Sequence, residues 1–176
     1  MPVYTYTTLD DPRANFGTDP TGINDAGTIV GTYVGLSGQH GFVYSSGSYT
    51  TLDAPGAAAT HASGINASGL IVGDYAIAGV SHGFLYSNGT YTTLDDPLAT
   101  TDTVARGINA SGQIVGYYNN AAGAHGFLLT DGVYTPLNDP FETTGTFAAG
   151  INAAGQVVGY YGEGANFHGF LYSNGI

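Results

Sequence analysis

A chain of 176 residues without cysteine has no disulfide framework, zinc–thiolate cluster or thiol nucleophile to rely on, and it is long enough to bury a core unaided. Its formal charge is −11, with no lysine and only Arg13 and Arg106 as permanent cations, so nucleic acid and anionic membranes are excluded as expected partners. Twenty-nine glycines, abundant Tyr, Thr, Val, Ile and Phe, and no apolar run of membrane-spanning length predict short strands joined by tight turns.

In chain order, Tyr6-Thr7-Thr8-Leu9 reads as a short strand stopped by Asp10-Asp11-Pro12. Three landmarks then follow: Gly-Ile-Asn at Gly22, His-Gly-Phe at His40 and Tyr-Thr-x-Leu at Tyr49. They return at Gly64, His82 and Tyr91, at Gly107, His125 and Tyr134, and at Gly150 and His168, in steps of 42 or 43 residues. The second unit shows the pattern best. A strand over Thr60–Ile65 leads through the turn Asn66–Gly69 into a second over Leu70–Tyr75. His82–Tyr86 is the third, Asn88-Gly89 a hairpin signal, and Tyr91–Leu94 the fourth, with Pro97 at the exit. Strands apolar on both faces suit sheets packed between two neighbours, as propeller blades are. The expected fold is therefore an all-β, four-bladed β-propeller forming one domain over residues 1–176. Tyr6–Leu9 is expected to close the ring as the outer strand of the last blade. The rival is that two chains exchange these strands or assemble into a larger ring, and the expected state is a monomer or a strand-exchanged dimer.

With His-Gly-Phe followed by Val43-Tyr44, Leu85-Tyr86, Leu128-Leu129 and Leu171-Tyr172, the chain resembles the bacterial extracellular HAF repeats. Gly-Ile-Asn-x-x-Gly-x-[Ile/Val]-Val-Gly is present in all four units, so the resemblance covers essentially the whole chain. It implies a propeller-like fold and a location outside the cell or at its surface, the export signal not being contained in these residues. It carries no common activity.

Two loop sets separate by topology. The turns Asn24–Gly27, Asn66–Gly69, Asn109–Gly112 and Asn152–Gly155 repeat, whereas the opposite loops, such as Val34–Gln39 and Gly162–Phe167, differ in every unit. Scaffold positions must recur and contacts to one asymmetric ligand need not, so the site is expected on the variable face near the axis. Asp19, His61, Asp74, Arg106, Tyr117, Phe147 and Tyr160 are its candidates: carboxylates, aromatic faces and one guanidinium suit a glycan or other small polar ligand, or a protein partner. The function expected is a non-catalytic binding module. One alternative is a small enzyme with His61 and Asp19 or Asp74 as acid and base, and another is a purely structural surface repeat. The recurrent histidines read as buried imidazoles bonded to a neighbouring loop, and Tyr33, Tyr75, Tyr118 and Tyr161 as blade packing. Asp10, Asp53, Asp95 and Asn138 suggest a calcium ring at first sight, but Asp before x-Pro is ordinary turn chemistry, so no cofactor is expected.

Overall fold

The computed structural model describes residues 4–173, which contain fifteen strands and no helix. In the first unit β1 (Gly17–Ile23), β2 (Ile29–Gly35), β3 (Gly38–Ser45) and β4 (Ser48–Leu52) form an antiparallel meander. The second unit repeats it with β5 (Ala59–Ile65), β6 (Ile71–Ile77), β7 (Val80–Ser87) and β8 (Thr90–Leu94). The third holds β9 (Thr103–Ile108), β10 (Ile114–Asn120), β11 (Gly123–Thr130) and β12 (Val133–Leu137). The fourth holds β13 (Gly145–Ile151), β14 (Val157–Glu163) and β15 (Asn166–Tyr172). A single parallel pairing of Ala124 with Gly145 joins the last two units into one seven-stranded sheet.

The turns follow from residue chemistry. Asn88 and Gly89 both adopt positive φ, 47° and 87°, which matches the right-handed twist of β7 and β8. The Asn of each Gly-Ile-Asn does two jobs. Asn66 Oδ1 accepts from the backbone N–H groups of Ser68 and Leu70, closing the turn, while its Nδ2 donates 3.0 Å to the Asn109 carbonyl of the next unit. Asn24 donates likewise to Asn66, and Asn109 to Asn152, so one side-chain ladder links four consecutive turns. Asn66-Ala67-Ser68 and Asn109-Ala110-Ser111 match a glycosylation sequon, but both asparagines are buried in their turns.

The core lies between units. Val30 of β2 packs on Ala62, Ile71 and Phe84 of the second unit; Val72 packs on Ala105, Ile114 and Phe127 of the third; Val115 packs on Ala148 and Val157 of the fourth. The inner strands meet through glycine: a Cβ on Gly107 would sit 3.3 Å from Gly150 Cα. The arrangement is thus propeller-like, with each sheet stacked on the next.

Among the described residues the ring does not close, contrary to the closed four-bladed propeller expected. The sheets contain four, four and seven strands. The first unit packs on the second through β5, the second on the third through β9, and the third on the fourth through β13, with no comparable packing among the described residues from the fourth back to the first. Residues 4–10 form no strand, and Tyr6 is 98% exposed. The offset of the repeat identifies which blade a strand belongs to. Closure also requires the rotation per unit to complete a full turn, and side-chain packing sets that rotation.

His40, His82 and His125 are half-buried rather than buried, and their partner is the polar residue at the exit of their own unit's fourth strand, whereas His168 is exposed. His40 Nδ1 donates 2.8 Å to Asp53, His82 Nδ1 3.0 Å to Asp95, and His125 reaches Asn138 at 3.3 Å. Each ring also lies against a tyrosine, as His40 does against Tyr33 at 5.1 Å. Tyr33 and Tyr75 in turn reach Thr51 and Thr93 through their hydroxyls.

Candidate functional site

The inner strand of every unit carries one residue too many. Register shifts between Pro20 and Gly22, Ala62 and Gly64, Ala105 and Gly107, and Ala148 and Gly150 leave Thr21, Ser63, Arg106 and Ala149 as bulge residues. A bulge re-aims a side chain. All four line one open cavity of about 430 Å³ together with Tyr117, Phe147 and Tyr160. A neighbouring cavity of about 400 Å³ shares Thr21, Ser63 and Arg106 and adds Asp19, Gln39 and His61. Arg106 therefore stands where the two cavities meet.

Just outside the bulges, cross-strand pairing brings the remaining candidates together. Asp19 faces Thr32, His61 faces Asp74, Val104 faces Tyr117 and Phe147 faces Tyr160. The seven residues Asp19, His61, Asp74, Arg106, Tyr117, Phe147 and Tyr160 thus gather around the axis. Six line the cavities, and Asp74, buried behind, holds His61.

The aromatic half is a stacked run. Phe147 lies parallel to Tyr160 at 4.9 Å and 18°, and edge-on to Tyr117 at 5.0 Å, while the guanidinium of Arg106 sits 5.7 Å from the Tyr117 ring. The other cation, Arg13, is engaged by Asp11 at 2.7 Å and by the Tyr33 ring. Among the described residues Arg106 has no carboxylate partner, so the one uncommitted guanidinium of an acidic chain points into its central cavity.

The polar half is built on His61. Its Nδ1 donates to Asp74 at 3.0 Å and its Nε2 faces Gln39 Oε1 at 2.9 Å. Both ring nitrogens therefore meet acceptors, as an imidazolium requires. The bond to Asp74 raises the His61 pKa above its ordinary 6.5, against the opposing effects of burial and of Arg106. A raised histidine pKa contributes stability that is fully present below about pH 6.5 and is lost as pH rises through the folded value. Thermal melts across that window are expected to show the protein losing stability with rising pH, and His61→Gln to flatten the slope. An unchanged slope would place the titration elsewhere.

Two contributors were missed from the sequence. Gln39 caps His61, and Phe167 sits edge-on to Tyr160 at 5.6 Å. Both occupy the position just before His-Gly-Phe, where the units carry Gln39, Ser81, Ala124 and Phe167. That variation was the available signal. Asp53 and Asp95 are engaged by histidines, and among the described residues no group of three or more His, Asp or Glu side chains is placed to hold a metal ion.

No family model matches the chain, and no curated protein matches it. Among solved structures, it is similar to TolB from Acinetobacter baumannii, with a TM-score of 0.66 and 14% identity over 89% of this chain and 41% of that one. The chain therefore spans less than half the length of that β-propeller-like neighbour, and the likeness is one of fold.

Proposed function

We propose that the chain is a non-catalytic, exported binding module whose axial cavities take a small polar ligand carrying a negative group, best exemplified by an acidic sugar. The observation that carries this reading is Arg106, without a carboxylate partner among the described residues, at the junction of two cavities and beside the stacked faces of Tyr117, Phe147 and Tyr160. Aromatic faces suit the C–H faces of a pyranose, a guanidinium suits a carboxylate, and Asp19 with Gln39 offers hydroxyl partners. The resemblance to extracellular HAF repeats supports export. Acid–base catalysis is the weaker reading because Asp74 and Gln39 occupy both nitrogens of His61, leaving no lone pair directed at a substrate.

The test is a thermal-shift and calorimetric screen against neutral sugars, uronic acids and simple carboxylates. A ligand bound only by the folded state at a hundredfold its Kd stabilises by about 2.7 kcal/mol. A uronic acid is expected to shift the melt and the matching neutral sugar much less. Arg106→Ala should weaken the acid about 10- to 100-fold, as loss of a charge-assisted bond does, while keeping the apo melting temperature. Equal response to acid and neutral sugar, or no effect of Arg106→Ala, would sink the assignment.

A further inference from the structure

The fourth unit differs from the other three in one respect: among the described residues, nothing pairs with β15 on the side away from β14. We propose that this edge takes Tyr6–Leu9 of a second copy of the chain as its fourth strand. The three complete units define how such a strand sits. Gly41, Phe42, Val43 and Tyr44 face Leu52, Thr51, Thr50 and Tyr49, and the same register recurs from Gly83 to Leu94 and from Gly126 to Leu137. Transferred to β15, it sets Leu9, Thr8, Thr7 and Tyr6 opposite Gly169, Phe170, Leu171 and Tyr172.

Four features of the fourth unit fit that strand. The first tyrosine of each Tyr-Thr-x-Leu lies edge-on to the phenylalanine of its unit, Tyr49 to Phe42 at 5.4 Å, Tyr91 to Phe84 at 5.1 Å and Tyr134 to Phe127 at 5.3 Å. Phe170 has a recess of about 240 Å³ at the matching place, lined by Pro136, Leu137, Thr146, Leu171 and Tyr172. Tyr134, Leu85 and Leu94 all pack against the cluster around Phe127, and the recess borders Leu137, the counterpart of Leu94. Next, His40 and His82 are held by Asp53 and Asp95, whereas His168 reaches only Glu163 at 3.5 Å; Asp10 is the counterpart that follows Leu9. Thr8 matches Thr51 and Thr93, the hydroxyl partners of Tyr33 and Tyr75, and so fits Tyr161. Last, Val158 is 51% exposed where Val30, Val72 and Val115, each covered by the following unit, are 0% exposed, an apolar face that the first unit of the donor copy would cover as it brings its strand.

The donor is a second copy because the chain's own segment stays off this edge: residues 4–10 form no strand and Tyr6 is 98% exposed. Asp11, two residues beyond Leu9, donates its N–H to the Thr18 hydroxyl of the first unit at 2.9 Å, and among the described residues that unit has no substantial packing with the fourth. Strand addition of this kind draws affinity from main-chain bonds and specificity from the side-chain recess. Reciprocal exchange, one strand in each direction, closes as a two-fold dimer.

The natural absence of cysteine makes the test direct. Thr7→Cys with Leu171→Cys puts thiols at two exposed positions that the proposed register pairs. Under mild oxidation the double variant is expected to give a reducible band of two chains, with Thr5→Cys/Leu171→Cys as the out-of-register control. Adding Tyr6→Ala should cut the cross-linked fraction at least tenfold without lowering the melting temperature, since Tyr6 is solvated in the single chain. A disulfide formed within one chain, or no cross-linking above the control, overturns the proposal. Neither outcome involves the axial ligand, so the binding reading stands or falls separately.

Discussion

Gly73→Ala is expected to destabilise the protein by about 3 kcal/mol, lowering its melting temperature by about 6–12 °C. Gly73 lies mid-strand in β6, opposite Ala62 and next to the bulge at Ser63. A Cβ there would fall inside contact distance of the His61 carbonyl oxygen and 2.9 Å from Phe84 Cε1. The obstacle on one side is backbone and on the other a fully buried ring, so neither can give way cheaply. Space alone is at issue, because Gly73 is not among the positive-φ glycines. Gly69→Ala is the contrast: its surroundings are open, but φ is +79°, so it should cost only about 1–2 kcal/mol of backbone strain. Circular-dichroism melts of the two variants decide the point. Equal losses would mean that conformation, not clearance, dictates glycine in β6.

Phe127→Ala should cost about 3–5 kcal/mol. The ring is fully buried, packs with Val72, Ile114 and Leu129, and meets the edge of Tyr134. Its removal leaves a void among Val72, Ile114 and Leu129 in the core between two sheets. The equivalent Phe170→Ala should cost markedly less in dilute protein, because that ring borders a recess instead of a tyrosine. Chemical denaturation of both variants at low protein concentration checks the comparison. A Phe170→Ala loss as large as that of Phe127→Ala would mean that the edge of β15 is already covered in the single chain.

Much of the unit was legible because scaffold residues solve the same problem four times. Strand limits read from His82–Tyr86 or Tyr91–Leu94 lie within two residues of the observed β7 and β8. Gly-Ile-Asn was recognisable as a motif, but its cause, an Asn that closes its own turn and bonds the next, depends on how units stack. The site was readable row by row. Aligning units gives His61 and Asp74 as members of two rows, whereas their mutual contact comes from the hairpin register, and the contact of Gln39 with His61, 22 residues apart, comes from packing between adjacent units. The bulge at Arg106 had no sequence signal distinct from the glycine after it. Closure failed as an expectation because periodicity records phase, while curvature is a sum of small packing angles that no motif spells out.

The extra residue in each inner strand has an evolutionary corollary. Thr21, Ser63, Arg106 and Ala149 occupy slots outside the hydrogen-bond ladder, so a new side chain at one of them leaves strand pairing intact. Four such slots amount to a dial with independently set positions around one axis. A lineage carrying this scaffold can retune charge and size at its centre by single codon changes, without renegotiating the fold that holds them.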